Sequence, residues 1–149
     1  MRLDGSTPRE IPTPSVNDVF RPSWSPDNKT IVFQYFASGS GIGMVSVDGS
    51  GFARMDISIP GQAVSPSWSP DGTQIAFTIL SDGKGTIALM SADGTGVAQL
   101  TEGFAPAWSH DGTRLAFSRN NDGLFIMDRN GSNVVRLVAG ITGSPAWRP

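Results

Sequence analysis

The sequence predicts an all-β fold made of repeated four-stranded antiparallel sheets, and three observations carry the prediction. One phrase occurs four times, as Pro22-Ser23-Trp24-Ser25-Pro26-Asp27-Asn28, Pro66-Ser67-Trp68-Ser69-Pro70-Asp71-Gly72, Pro106-Ala107-Trp108-Ser109-His110-Asp111-Gly112 and Pro145-Ala146-Trp147-Arg148-Pro149. Its tryptophans stand 44, 40 and 39 residues apart, a period that marks units stable only when stacked on their neighbours. A second column runs in phase with the first: Asp4-Gly5, Asp48-Gly49, Asp93-Gly94 and Asn130-Gly131, each followed six residues after the glycine by Ile11, Met55, Leu100 or Leu137. Helical periodicity never persists beyond a turn, and 18 glycines with 11 prolines oppose long helices.

Each unit reads as four strands in order. The first carries the tryptophan and ends at Ser-Pro-Asp-Gly, a type I turn in which proline fixes φ and the glycine, or Asn28, takes the left-handed position. In the second strand, Ile31-Val32-Phe33, Ile75-Ala76-Phe77-Thr78-Ile79 and Leu115-Ala116-Phe117 alternate large with smaller residues, as in a sheet covered on both faces. The third strand, Ile87-Ala88-Leu89-Met90 or Leu124-Phe125-Ile126-Met127, ends at Asp-Gly or Asn-Gly, and a fourth runs from Val97 to Leu100 or Val134 to Leu137. Four antiparallel strands in about 40 residues make one blade of a β-propeller. The blades expected are 20–58, 64–101 and 104–139, with partial blades at 1–13 and 142–149.

These residues resemble the TolB-type, WD-repeat-like β-propeller repeat, whose pattern Pro-x-Trp-Ser-Pro-Asp-Gly-x-x-Ile-Ala-Phe and later Met-x-x-Asp-Gly runs through essentially the whole chain. The resemblance implies a noncatalytic docking module of the bacterial periplasm or cell envelope. The same repeats also resemble the substrate-gating propellers of serine peptidases, whose catalytic domain would be absent here, and a propeller-channel sugar lyase is a third reading.

Met1-Arg2-Leu3-Asp4-Gly5 aligns with Met90 to Gly94 and with Met127 to Gly131, and Pro149 falls where Pro26 and Pro70 precede a turn. Both ends therefore read as cuts within a longer repeat array. The competing expectation is self-association through open blade faces.

Composition narrows the function classes. A formal charge of −2 with both signs dispersed gives no basic stripe for nucleic acid. Without cysteine there is no disulfide or thiolate chemistry. No apolar run approaches the length of a membrane-spanning helix, so membrane insertion is not expected, and the first residues lack a signal-peptide pattern.

Neither a catalytic residue, a metal ligand nor a cofactor is expected. His110, the single histidine, replaces a turn proline, and no Ser-His-Asp triad or histidine-based metal site follows from it. Asp27, Asp71 and Asp111 serve their turns, as do Asp48 and Asp93 beside the turn glycines Gly49, Gly94 and Gly131. Asn120-Asn121-Asp122-Gly123 imitates the middle of a calcium loop, but Ser118 and Arg129 hold its first and twelfth positions and no helices flank it. Gly39-Ser40-Gly41-Ile42-Gly43 reads as a flexible hairpin tip, since neither a helix nor Gly-Lys-Ser/Thr follows. Asn28-Lys29-Thr30 and Asn130-Gly131-Ser132 fit a glycosylation triplet in repeat turns. Trp24, Trp68, Trp108 and Trp147 read as packing between blades, and Met90 and Met127 as core filling.

Function is expected at the end of the blades where connections vary, over roughly 36 to 42, 57 to 63, 80 to 85, 101 to 104, 119 to 123 and 138 to 143. The contacts expected there for a protein or peptide partner are Phe36, Gln62, Asp82, Lys84, Glu102, Phe104, Arg119, Asn120 and Asn121. Alanine at Arg119 or Phe104 is expected to weaken a partner without lowering the unfolding temperature.

Overall fold

Every Ser-Pro-Asp-Gly phrase in the chain's computed structural model, which describes residues 18–36, 40–140 and 143–147, closes a hairpin. Gly72 and Gly112 donate their N–H groups to the carbonyls of Ser69 and Ser109 at 2.9 Å, and Asn28 does so to Ser25 at 3.0 Å. Their φ angles of 72°, 68° and 58° lie in the left-handed region that glycine and asparagine tolerate best. Each turn serine then accepts, on Oγ, the N–H five residues on, at 2.9 Å from Thr30, Gln74 and Arg114. Each turn aspartate receives the serine hydroxyl and the N–H two residues beyond itself. The phrase is thus a self-contained device for reversing the chain.

Twelve strands result among the described residues: β1 (Asp18–Trp24), β2 (Thr30–Phe36), β3 (Ser40–Ser46), β4 (Ala53–Arg54), β5 (Gln62–Trp68), β6 (Gln74–Ser81), β7 (Lys84–Ser91), β8 (Ala98–Glu102), β9 (Phe104–Trp108), β10 (Arg114–Arg119), β11 (Gly123–Asp128) and β12 (Val135–Ala139). They form three separate four-stranded sheets in chain order, with every neighbouring pair antiparallel. No helix occurs among the described residues. The readings placed on 1–13, including Asp4-Gly5 and Ile11, and on Arg148 and Pro149 lie outside the described residues.

Burial follows the period of two in the second strands. On β6, Ile75, Phe77 and Ile79 join Val32 and Ile42 of the first sheet in one core, while Ala76 on the opposite face joins Trp108, Leu115, Phe117, Phe125 and Met127 of the third sheet in another. Ile75, Ala76 and Phe77 are completely buried. On β6 the large residues thus point at the preceding sheet and the small one at the next, while on β7 Ile87 and Leu89 point at the next. Each large apolar side chain among these, when buried, contributes roughly 1.5–3 kcal/mol, and the cover comes from the neighbouring sheet. The column after the second turn completes the seams: Met55 lies against Gly94 and Leu100 against Gly131. Leu137, next in that column, is 53% exposed.

Polar side chains latch the seams as well. A bulge interrupts the inner strand between Phe20 and Ser23 and between Val64 and Ser67, and Arg21, Ser65 and Ala105 there adopt φ of 50°, 54° and 52°. The Ser65 N–H donates to Gln34 Oε1 of the preceding blade at 3.2 Å, and the Ala105 N–H to Thr78 Oγ1 at 3.0 Å. Gln34 and Thr78, both buried, are therefore polar by need rather than by accident.

Two readings of the sequence are corrected. Ser40–Gly43 is not a hairpin tip but the start of β3, where Gly41 pairs with Tyr35 and Gly43 with Phe33. The rings of Tyr35 and Phe33 occupy the space a side chain at these glycines would need, so the glycines answer to aromatic neighbours rather than to a turn. The fourth strands begin one residue later than expected, at Ala98 and Val135, and in the first sheet β4 has only two residues.

Thr78→Val tests the latch, since it keeps the shape but removes the acceptor for the Ala105 N–H. Urea denaturation should show a loss of about 1–3 kcal/mol with the β-sheet circular dichroism unchanged.

Candidate functional site

The nine expected contacts lie at one end of the sheets. Gln62 pairs with Leu80, Lys84 with Ser81, Glu102 with Thr86, Phe104 with Ser118 and Arg119 with Gly123, all next to the second-to-third-strand turns, while Phe36 ends β2. The connections are shorter than the sequence ranges, because six of the nine residues belong to strand ends and only Asp82, Asn120 and Asn121 stand in turns. Asp82 and Asn121 take the left-handed positions there, with φ of 50° and 59°. The four-to-one connections carry the variation: residues 55–61 after the first sheet, against Gly103 alone after the second.

Exposure divides this group. Phe36, Gln62, Asp82, Lys84, Glu102, Asn120 and Asn121 are exposed, whereas Phe104 and Arg119 are half-buried. The Phe104 ring lies over Gly85. Arg119 donates from Nε to the Glu102 carbonyl at 3.0 Å and from Nη2 to Thr101 Oγ1 at 2.9 Å, and its guanidinium stacks 4.4 Å from the Phe125 ring centroid. Both are fastened across the seam between the second and third sheets.

Phe20, which the sequence reading passed over, stands on the first sheet, which no other sheet precedes among the described residues. It is 46% exposed and meets the 40%-exposed Phe36 edge to face with centroids 5.4 Å apart. Its place two residues before Pro22 is the place Phe104 holds before Pro106, a signal that was present in the repeat.

The opposite end carries the uniform turns and is structural in its detail. Trp108 and Trp147 donate their indole N–H groups to the carbonyls of Ser67 and Ala107 at 3.1 Å, each the residue before the tryptophan one repeat earlier. Trp68 packs against the first core, but its buried Nε1 has no partner, and Trp24 is 49% exposed. The four tryptophans thus share a column without sharing an environment.

Hydrogen bonds hold the turn carboxylates below their ordinary titration range. The Ser109 hydroxyl and the Thr113 N–H bring Asp111 down to about 2, and the Ser25 hydroxyl with the Lys29 N–H lowers Asp27. Asp71 is lowered furthest, first by Ser69 and then by Arg129. Arg129 Nη1 meets Asp71 Oδ2 at 2.6 Å, while its Nε and Nη2 donate to Gln74 and Thr73 at 2.9 Å. The guanidinium stands 5.3 Å from the Trp108 ring and so clamps the second sheet to the third. Val47 and Ala92 occupy the corresponding places in the other repeats, which left the clamp invisible to repeat analysis. His110 is exposed, and Asp122 of the calcium-like run is ion-paired to Arg136 at 2.7 Å. Among the described residues no group of three or more His, Cys, Asp or Glu stands close enough to hold a metal ion.

Three stacked four-stranded sheets with the inner strands side by side define the class, a β-propeller arc. The TolB beta propeller domain model matches residues 1–149, and the chain belongs to that family. Among solved structures it is similar to a TolB-like protein from Agrobacterium tumefaciens, at 24% identity and a TM-score of 0.75, over 87% of this chain and 54% of that one. It is also similar to TolB from Acinetobacter baumannii, at 22% identity and a TM-score of 0.73, over 91% of this chain and 35% of that one. The chain therefore spans about half or less of these relatives' length. An acylaminoacyl peptidase shares the fold at 14% identity and a TM-score of 0.62, over 81% of this chain and 25% of that one. No curated protein matches the sequence.

The geometry revises what alanine at Arg119 should do. Because this side chain joins two sheets, Arg119→Ala is expected to lower the stability by about 1–2 kcal/mol, seen as a drop in unfolding temperature; an unchanged temperature would return Arg119 to the free surface.

Proposed function

We propose that this propeller segment is a noncatalytic docking module of the bacterial envelope that binds a protein or peptide at the end bearing the variable connections. The observation that carries the reading is the difference between the connections at that end, residues 55–61 after the first sheet against Gly103 alone after the second, because insertions gathered at one end of a repeat array mark its binding face. Asp82, Lys84 and Glu102, all exposed, supply the mixed polar rim such a contact uses. The rigid sheets beneath pre-organise these groups, which limits the ordering cost of association.

Family membership supports the docking role and the envelope location. The peptidase reading rests on a fold shared at low identity.

Selection of a displayed random-peptide library on the chain tests the proposal. Peptides enriched on the wild type should lose about tenfold or more in affinity for Phe36→Ser combined with Lys84→Glu, and should retain affinity for His110→Glu at the opposite end. The reverse pattern would place binding on the uniform-turn end and end this assignment.

A further inference from the structure

The inner strands enclose a second feature, distinct from the variable-connection end. Arg21, Ser23, Ser65, Ser67, Ala105 and Ser144, with the repeat prolines between them, line a cavity of about 300 Å³. Proline and alanine supply six of its eleven lining residues, four serines and Arg21 the rest, with no carboxylate among the described residues of the lining, and Ser23 Oγ accepts the Trp68 N–H at 3.1 Å. Arg21 reaches from the first inner strand to Ser144, donating from Nη1 to Ser144 Oγ at 2.7 Å. No carboxylate among the described residues forms an ion pair with Arg21, whereas Arg129 pairs with Asp71 and Arg136 with Asp122. This contrasts with Arg129, whose charge is met by an acid of the neighbouring sheet.

We propose that this cavity is a binding site for a single carboxylate group, held by the Arg21 guanidinium and the surrounding serine hydroxyls. A guanidinium has five N–H donors in a planar fork that matches the two oxygens of a carboxylate. The Ser144 bond uses one of them, and the Ser144 hydroxyl keeps its own hydrogen to offer to the same anion. One positive charge without a second cation among the described lining residues fits a monoanion better than a phosphate, whose charge at neutral pH approaches two. The carboxylate could come from a small organic acid or from the C-terminus of a peptide entering between the inner strands. The site shares no residue with the docking surface proposed above, so either can fail alone.

Nitrogen-15 NMR titrations of the chain test the site with three probes: acetate, trialanine with a free C-terminus, and trialanine amide. Acetate is expected to shift the Arg21 side-chain Nε–Hε signal and the amides of Ser23 and Ser65 along a saturating curve. Arg21→Gln should weaken this binding about tenfold or more, while Arg21→Lys, which keeps the charge but not the fork, should retain part of it. Arg21 is exposed, and unchanged signals in β5–β12 would show that both variants fold. Shifts by the free-terminus peptide but not by its amide would identify a peptide terminus as a ligand source, and shifts by acetate alone would identify small acids. Non-saturating shifts, equal binding by Arg21→Gln, or tighter binding of inorganic phosphate than of acetate would overturn the proposal.

Discussion

The seam between consecutive sheets is the constraint on which the rest of the structure depends. A four-stranded sheet of about 40 residues has no second layer of its own, and its second strand is apolar on both faces. Phe77 is completely buried only because Val32 and Ile42 of the preceding sheet cover it, and Ala76 only because Leu115 and Phe117 of the next sheet lie against it. The alternation of large and small residues sets how closely two sheets approach. The side chains of Gln34 and Thr78 then use that approach to satisfy backbone groups that the inner-strand bulges release. Stability is thus a property of neighbouring pairs, as in other repeat arrays.

Rigid seams free the ends of the sheets for other chemistry. The turns at one end are occupied with themselves: serine, aspartate and the following N–H groups form closed sets of hydrogen bonds, which lower the titration range of the carboxylates. At the other end the connections have no such repeated duty. Residues there divide by their neighbours: Arg119 and Phe104 are drawn into the seam with the preceding sheet, whereas Phe20, in the column of Phe104, belongs to the first sheet, before which the described residues hold no other. Along the inner strands, by contrast, four serines and Arg21 line a common cavity.

The sheets were legible in the sequence because each turn repeats with its own local chemistry, and local chemistry is what a sequence displays. Phe20 was also within reach, through the column it shares with Phe104. Arg129 was not: no other repeat has a cation in its place, and its partners Asp71, Thr73 and Gln74 are more than fifty residues distant in the chain. Gly41 and Gly43 misled for a related reason. Glycine signals a turn when only its own segment is considered, and the aromatic rings that explain it belong to the paired strand. The same limit separates Trp108, latched to Ser67, from Trp68, whose indole N–H has no partner.

Hydrogen–deuterium exchange of the Phe77→Ala chain, resolved by segment, tests the claim that the seams hold the structure. Phe77 belongs to β6 but faces the first sheet. If stability resides in the seam, exchange should accelerate in β2 and β3 as well as in β5 to β8. Acceleration confined to β5 to β8 would show that each sheet is stable on its own terms and would contradict the account.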